Sequence, residues 1–398
     1  MRILSVTQTY APFFEFGGPP VKVKALAEGM VRRGHQVTVL TADWGIDTRQ
    51  RNNSNESKAE PSPFGRRTNI NGVTAVYLPN WFRYRAMSWN PALGRYLRAR
   101  LSGFDVVHIF GLYDLLGPRV AKECRKRQIP YAVEPIGMFV PIVRSFFLKR
   151  IYHRNWGHKM MANAAAIIAT AEQERDELRT GGIPEDKIVL RRNGVEGPAS
   201  LPARGLFRSQ LHIAEDTPLI LFLGRLSKKK SPDLLLKAFA GVSHSAVLPH
   251  LAFVGPDESG MKARLQQMAG KLAVAGRVHF CSPLQADAKW TAYRDADIFV
   301  LPSQNENFGN TAAESVAAGT PVIVTEQCGI APLLQTSGVI VKHDEQELRG
   351  AIERLLTDKK FYGKLSAGCA ESMGRLGWQQ PLEQMEQIYS VLAARSVT

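Results

Sequence analysis

The stretch that decides the fold is residues 296–328, which read ADIFVLPSQNENFGNTAAESVAAGTPVIVTEQC. It opens with a short apolar run, continues through a polar loop into a segment of small residues, and ends in a second apolar run. A buried strand, a helix and a second buried strand in this order form a unit of a parallel sheet that helices cover on both faces. The stretch therefore predicts an α/β fold.

The same alternation extends to both sides of this stretch and forms two series. The first series starts at residues 3–7 and the second at residues 218–223. Between them, residues 193–202 (NGVEGPASLP) are rich in Gly and Pro and lack periodicity, which places an interdomain hinge there. The sequence predicts two doubly wound, Rossmann-like domains, residues 1–195 and 196–375.

The composition limits the class of protein. The chain has 398 residues, of which 44% are apolar and 22% charged, and this excludes disordered, collagen-like and coiled-coil proteins. Its four cysteines show no C-x-x-C spacing, so neither a zinc site nor a disulfide framework is indicated and a reducing cytosol is expected. No apolar run approaches the roughly 20 residues of a membrane-spanning helix. The apolar part of residues 1–10 is too short for a signal peptide.

The net charge is strongly positive. Lys and Arg number 51 against 36 Asp and Glu, a difference of +15. A field of this sign attracts phosphate on a nucleic acid, an anionic lipid or a small ligand, and charge alone does not choose among them.

Two glutamates in the deciding stretch carry a family resemblance. Glu306 and Glu314 form the pattern E-x7-E within strand, loop, Ala-rich helix, Gly-Thr-Pro and strand. This arrangement resembles the signature of the retaining, nucleotide-sugar-dependent glycosyltransferases of family 4, which have the GT-B fold of two Rossmann-like domains facing across a cleft. The resemblance implies that Glu314 holds the donor ribose and that Glu306 lies against the donor sugar. Taken alone, the two glutamates also fit a capping box at Thr311 and a solvated loop residue.

The loop and helix between the glutamates are suited to a diphosphate. A helix that starts near Thr311 turns its free N–H groups and positive end toward the carboxyl ends of the strands. Before it, Phe308, Gly309 and Asn310 form a loop in which the glycine lets the backbone approach a ligand closely. A carboxylate at Glu314 is able to accept hydrogen bonds from both hydroxyls of a ribose. We expect these residues to bind the donor.

Two cations follow the first strand of the second series. Arg225 comes directly after residues 218–223, and Lys230 closes the run GRLSKKK. Breaking the bond between a sugar and a nucleoside diphosphate leaves negative charge on a phosphate oxygen, and without a metal the site needs cations there. Both residues match the Arg and Lys of the family, whereas Ser231 stands where the family commonly has Gly. The alternative is a solvated basic turn.

The first domain carries weaker signals. Gly17 and Gly18 follow the first strand, where the family has a Gly-rich loop over the donor phosphates, although a Gly-Gly pair alone is more often only a turn. Many members of the family have Pro-His-Gly-Met where this chain has Ile136, so Glu134 is the candidate polar contact to the sugar or acceptor. His108 lies in an apolar strand and is expected to be a core residue.

Three segments of the first domain remain to be interpreted. Residues 43–67 are polar without a period and are predicted to be a mobile surface loop. Residues 141–161 form a basic, aromatic, amphipathic pattern that fits either an anionic membrane surface or an ordinary helix packed on the sheet. Residues 81–85 (WFRYR) have a similar character. Because many relatives glycosylate lipid-linked acceptors, the resemblance favours a peripheral membrane enzyme.

The sequence as a whole predicts a retaining hexosyltransferase. The expected substrates are a nucleoside diphosphate sugar and a hydroxyl of a lipid-linked or polysaccharide acceptor in cell-surface glycan synthesis, with neither cofactor nor metal. The family also implies a C-terminal helix, within residues 376–398, that packs back on the first domain. The expected location is the cytoplasm, including the inner face of the plasma membrane.

Two rival functions remain open at this stage. A catalytically silent sugar-nucleotide-binding protein is suggested by Ile136. A nucleic-acid-binding protein is suggested by the calculated pI of about 9.7, but no zinc-finger spacing, RNP-like motif or basic zipper supports it, so no nucleic-acid partner is expected.

Overall fold

A computed structural model describes residues 1–46, 58–84, 87–140, 150–198, 200–243, 247–284 and 288–394. The chain divides into two compact units. The first comprises Met1–Asn193 and Trp378–Thr398, and the second comprises Gly194–Gly377.

The first unit is built on a mainly parallel sheet. Its strands in the described residues are β1 (Arg2–Thr7), β2 (Gln36–Ala42), β3 (Glu60–Ser62), β4 (Gly65–Ile70), β5 (Val73–Leu78), β8 (Val106–Phe110), β9 (Tyr131–Glu134), β10 (Ala166–Ala169) and β11 (Ile188–Leu190), with a separate hairpin of β6 (Phe82–Tyr84) and β7 (Met87–Trp89). The order across the sheet is β11-β10-β9-β8-β1-β2-β5-β4-β3, and only β3 and β4 run antiparallel to their neighbours. The central strands are apolar and buried because helices cover both faces.

The helices of the first unit are α1 (Gly18–Arg32), α2 (Ala92–Arg100), α3 (Leu116–Lys126), α4 (His158–Ala162) and α5 (Glu172–Thr180). A π-helical turn, His153–Gly157, leads directly into α4. Of the predicted basic segment, residues 141–149 lie outside the described part of the chain. In the remainder, Tyr152 is buried while Ile151 and Trp156 are exposed.

The prediction of a mobile loop at residues 43–67 is wrong in its second half. Residues 47–57 lie outside the described part, but β3 and the start of β4 form an antiparallel extension of the sheet. Within β4 only Thr68 is buried. Edge strands of this kind are solvated on most sides, so the segment lacks the apolar period that identifies a strand.

The second unit contains an all-parallel sheet. Its strands are β12 (Leu219–Leu223), β13 (His250–Val254), β14 (Val278–Cys281), β15 (Ile298–Leu301), β16 (Val322–Thr325) and β17 (Gly338–Val341). Its described helices are α6 (Leu206–Gln210), α7 (Pro232–Ala240), α8 (Met261–Lys271), α9 (Ala288–Asp295), α10 (Asn310–Ala317), α11 (Glu345–Thr357) and α12 (Lys359–Leu376). The order β14-β13-β12-β15-β16-β17 reverses direction between β12 and β15. Ligands of doubly wound sheets bind at such a switch point, beyond the carboxyl ends of the strands.

The last helix, α13 (Gln379–Ala394), packs on the first unit. Gly29 of α1 faces Leu382 so closely that a methyl group at position 29 would overlap the leucine side chain. Glu386 binds Arg33 at 2.6 Å and His35 at 2.8 Å. The expected return of a C-terminal helix to the first domain, part of the predicted α/β fold, is confirmed.

Candidate functional site

The carboxyl ends of β12 and β15 bring two loops together at the switch point of the second unit. The turn Lys228–Lys230 follows β12, and residues 302–309 follow β15. The backbone N–H of Gln304 donates to the carbonyl of Lys229 at 3.0 Å, which ties the loops to each other. The second loop is also held by the segment after β16, because Glu306 donates its backbone N–H to Gln327 at 3.1 Å.

Two of the predicted site residues form an ion pair in these loops. The Lys230 ammonium binds the Glu306 carboxylate, and their side chains are 22% and 18% exposed. Burial, together with the neighbouring Lys229 and Arg225, lowers the pKa of Lys230 from its ordinary 10.5 to about 8. The ammonium is therefore mostly charged at neutral pH and lies at the surface of a cationic cluster.

Arg225 leaves the sheet immediately after β12. Gly255, at the end of β13, lies so close to Gly224 that any side chain at position 255 would collide with the Gly224 carbonyl. The Arg225 side chain itself is half exposed, and its nearest carboxylate is Glu258 at 4.0 Å. A guanidinium held this loosely is free to bind an anion.

The helix after Glu306 starts without a side-chain cap. Its N-cap is Gly309, with φ of 111°, so α10 begins at Asn310 and the capping box that Thr311 offered does not form. At Gly309 a Cβ would lie 2.9 Å from the Ile330 side chain, so a side chain there would be strained and crowded. The first N–H groups of α10 are consequently available to an anion.

Phe308 does not present its side chain to a ligand. It is 2% exposed and packs in the apolar core of the second unit. The prediction that Phe308 contacts the donor therefore needs a correction. Because the aromatic ring is buried in the core, only the backbone of Phe308 is able to contact the donor.

Glu314 projects from the second turn of α10 toward α9. Its carboxylate accepts hydrogen bonds from the Lys289 ammonium at 2.7 Å and the Tyr293 hydroxyl at 2.9 Å. Burial and the nearby carboxylate raise the pKa of Tyr293 well above its ordinary value. Sequence reasoning missed Lys289 and Tyr293, whose spacing places them on one face of α9. Only the fold shows that this face meets Glu314.

In the first unit, Gly17 and Gly18 lie where the sequence placed them, after β1. Gly17 is the N-cap of α1, with φ of 96°, and Gly18 is the first helical residue. Because Pro19 and Pro20 follow, the first turn of α1 has two N–H donors fewer than an ordinary helix. The N–H of Gly17 donates to the carbonyl of Phe14 at 3.0 Å, so of the two glycines Gly18 supplies the backbone N–H at this helix start.

The candidate role of Glu134 in ligand contact is corrected by the structure. The side chain has no exposed surface and binds Lys22 and Arg191, the latter at 2.5 Å. Lys22 is 3% exposed and Arg191 is fully buried. Burial lowers the pKa of Arg191 to about 10. A buried carboxylate that pairs with two buried basic side chains has no face left for a substrate.

His108 is a core residue, as its apolar strand predicts. It is fully buried, hydrogen-bonds the Tyr389 hydroxyl of α13 at 2.8 Å and stacks on Phe110. Burial, with Arg191 and Lys22 nearby, holds its pKa well below the ordinary value, so the ring is neutral.

Comparison with known proteins identifies the family. Residues 204–371 match the family described as Glycosyl transferases group 1, and residues 17–194 match the one described as Glycosyl transferase 4-like domain. The chain belongs to the group 1 glycosyltransferases. The first of these ranges lies within the second structural unit, and the other lies within the first unit except for its last residue.

Individual relatives of this group 1 glycosyltransferase are distant. The D-inositol 3-phosphate glycosyltransferase of Thermomonospora curvata is 33% identical over 253 residues, which make up 58% of this chain and 58% of that protein. The chain thus spans little more than half the length of such curated relatives. An uncharacterized glycosyltransferase of Methanocaldococcus jannaschii is 24% identical over 91% of this chain and 90% of that protein.

Solved structures confirm the fold. Sucrose-phosphate synthase from Thermosynechococcus elongatus has a TM-score of 0.75 at 21% identity and covers 99% of both chains. HepE from Anabaena, solved in complex with UDP and glucose, has a TM-score of 0.75 at 17% identity, covering 98% of this chain and 100% of that one. The group 1 glycosyltransferase described here has the predicted GT-B fold.

Both departures of this glycosyltransferase from its family occur at left-handed backbone positions. Ser231 has φ of 47° and Ile136 has φ of 57°. A β-branched residue in this conformation is strained, by roughly 1–3 kcal/mol. The turn at Ile136 is held by Glu174, which accepts hydrogen bonds from the N–H of Gly137 at 2.5 Å and of Thr170 at 2.8 Å. Glu174 of α5 therefore fixes the turn at Ile136 through backbone N–H groups on both sides of it.

The described ranges contain neither a metal-binding cluster nor a membrane-spanning helix. No group of three or more His, Cys, Asp or Glu side chains there is arranged to hold a metal ion. No helix in the same ranges is long and apolar enough to cross a bilayer.

Proposed function

We propose that this group 1 glycosyltransferase transfers a hexose from a nucleoside diphosphate sugar to an acceptor hydroxyl with retention of anomeric configuration. The observation that carries the proposal is the cluster at the switch point of the second unit. There Lys230, Arg225 and the uncapped start of α10 lie on loops from adjacent strand ends. HepE, with the same fold, was solved with UDP-glucose, which supports a donor of this class.

The three positive groups suit the leaving group of such a transfer. As the bond from the sugar to the diphosphate breaks, charge develops on a phosphate oxygen, and preorganised cations stabilise it more than they stabilise the ground state. In the protein without a ligand, the Glu306 carboxylate forms an ion pair with the Lys230 ammonium. A bound diphosphate would compete for the ammonium and release the Glu306 carboxylate toward the sugar hydroxyls, which gives the two residues complementary roles.

In this proposal Glu314 holds the ribose. Its two oxygens each accept one hydrogen bond from α9, and a carboxylate has further lone pairs for sugar hydroxyls. Lys289 and Tyr293 would fix its orientation. For the transfer itself we propose front-face attack, in which the departing phosphate takes the proton of the acceptor hydroxyl, so that no enzyme nucleophile is needed.

The acceptor is proposed to be lipid-linked, and the enzyme to act at an anionic membrane surface. The first unit has 31 Lys and Arg against 18 Asp and Glu, or +13, and the second has 20 against 18, or +2. Large side chains are exposed in the first unit, with Trp81 at 80%, Phe82 at 63%, Trp89 at 46% and Trp156 at 45%. Aromatic side chains beside cations are typical of proteins that bind the interface of anionic bilayers.

A donor screen tests the central proposal. Thermal shifts with UDP-, GDP- and ADP-sugars should single out one base, and the nucleoside diphosphate of that base should bind wild type saturably. Lys230→Gln should weaken this binding by at least about tenfold, since a charge-assisted contact is lost. Lys228→Gln, an exposed neighbour in the same turn, should leave it unchanged. Equal binding by both variants would contradict the placement of the diphosphate.

Two further measurements address transfer and location. The anomeric proton coupling of the product reports whether configuration is retained, and inversion would refute the proposed route. Sedimentation with anionic vesicles should fall for Trp81→Ala/Phe82→Ala and not for Leu206→Ala/Leu248→Ala, which removes side chains 49% exposed in the second unit. Equal sedimentation of the two double variants would count against the membrane surface.

A further inference from the structure

A cavity lies at the edge of the first sheet where the parallel strands begin, opposite to the edge formed by their carboxyl ends. It has a volume of about 280 Å³ and is bounded by the amino ends of β1, β2 and β5, the strand β4, and the end of α2. On this face of the sheet the strands carry Leu4, Leu40 and Leu78 in the core. Toward the amino ends the same face carries polar residues instead, among them Thr38 and Thr74, which are partners in register.

The cavity is strongly cationic. Among the described residues that line it are three arginines, Arg2, Arg67 and Arg100, and no Asp or Glu. Arg2 is neutralised by Asp105 at 2.7 Å. Arg67 and Arg100 form no ion pair with any residue that the structure describes. Glu60 is the partner of Arg67 in register, but the two side chains do not form an ion pair either. Within the part of the chain that the structure describes, two guanidinium groups without a carboxylate partner therefore line one small space.

The side chain of Tyr96 lines the same cavity as these two arginines. Tyr96 of α2 is 4% exposed, lines the cavity and makes no hydrogen bond with another described residue. Burial raises the pKa of its phenol, and the charges of Arg100 and Arg67 act in the opposite direction. The ring is fixed edge-on against Phe64 at 5.2 Å. Its hydroxyl is therefore able to donate a hydrogen bond to a ligand in the cavity.

We propose that this cavity binds a phosphate monoester. Guanidinium groups match phosphate oxygens in pairs, and the hydroxyls of Tyr96, Thr38 and Thr74 supply further donors. A volume near the lower end of the range for ligand pockets, about 300–1,000 Å³, fits a small phosphorylated molecule or a lipid headgroup. The site lies at the amino ends of the strands, so it is separate from the carboxyl ends that carry the proposed chemistry.

Calorimetric titration of the full chain tests the proposal. Every protein carries Arg225→Gln/Lys230→Gln, so that phosphate bound by the donor cluster does not contribute. The probes are inorganic phosphate, glycerol 3-phosphate, and phosphatidylcholine vesicles with phosphatidic acid, whose headgroup is also a phosphate monoester. Arg67→Gln/Arg100→Gln is compared with Arg66→Gln/Arg98→Gln, which removes the same charge from residues that do not line the cavity. Tyr96→Phe removes only the hydroxyl.

We expect saturable binding that Arg67→Gln/Arg100→Gln weakens by at least about tenfold, Tyr96→Phe weakens less, and Arg66→Gln/Arg98→Gln leaves unchanged. Binding of glycerol 3-phosphate identifies a soluble ligand, and binding of the vesicles alone identifies a headgroup. The absence of saturable binding to every probe would overturn the proposal. An equal loss in both double variants would do so too, because it would show only the general charge of the first unit. Circular dichroism checks that each variant is folded.

Discussion

Replacing Glu134 by Gln tests whether the carboxylate serves the core of the first unit. The substitution keeps the shape of the side chain and removes its charge. Lys22, which is 3% exposed, and the fully buried Arg191 would then lose the anion that both contact. Breaking one partner of a buried ion pair costs about 3–5 kcal/mol, because a charge stays buried without compensation.

This cost predicts a large change in melting temperature. For a unit of this size, each kcal/mol lowers Tm by about 2–4 °C, so Glu134→Gln should lower the Tm of the first unit by roughly 6–20 °C. Glu185→Gln is the control. It removes a carboxylate that is 47% exposed and paired with Arg175, and exposed pairs contribute about 0–1 kcal/mol. Differential scanning calorimetry measures both variants on the full chain.

A double variant separates charge from packing. Lys22→Met/Glu134→Gln removes one buried cation together with the anion and should recover part of the lost stability, since apolar groups of similar volume replace buried ion pairs well. If Glu134→Gln melted within about 2 °C of wild type, the reasoning would be refuted. If the variant also lost transfer activity, the hypothesis that Glu134 contacts the sugar or the acceptor would again be supported.

Three further outcomes follow from the second unit. The value of kcat/KM should fall as pH rises through about 8, because Lys230 loses its proton there. Lys230→Arg should move this fall to higher pH. A pH profile that does not move would exclude Lys230 as the group that titrates. Gly309→Ala should lower stability by roughly 1–3 kcal/mol, given φ of 111°, which urea unfolding measures; an unchanged midpoint would contradict the strain. Tyr293→Phe should raise KM for the donor more than it lowers kcat, since it removes one of two contacts that orient Glu314; steady-state kinetics showing the reverse would argue against a binding role.

Much of the fold was predictable because parallel strands covered on both faces must be apolar throughout. The predicted first strands of the two series, residues 3–7 and 218–223, agree with β1 and β12 to within one residue. The edge strand β3 and its neighbour β4 were not predictable in the same way. They bury few side chains, so the physical cause of the apolar signal is absent there.

Residues that depend on local chain geometry were placed well. Arg225 and Glu306 directly follow strands, so the sheet topology alone brings them to one edge. Residues whose role depends on partners far away in the sequence were not predicted well. Glu134 looked like a ligand contact because nothing in its neighbourhood shows Lys22, which is 112 positions earlier, or Arg191, which is 57 positions later.

The return of α13 has a consequence for biosynthesis. The partner of His108 is Tyr389, 281 residues later, so a ribosome must finish the second unit before the first can close its core. The second unit is one continuous segment, Gly194–Gly377, and can fold as soon as it leaves the exit tunnel. Until α13 has been synthesised, the core residues of the first unit that pack against Leu382, Met385 and Leu392 stay uncovered.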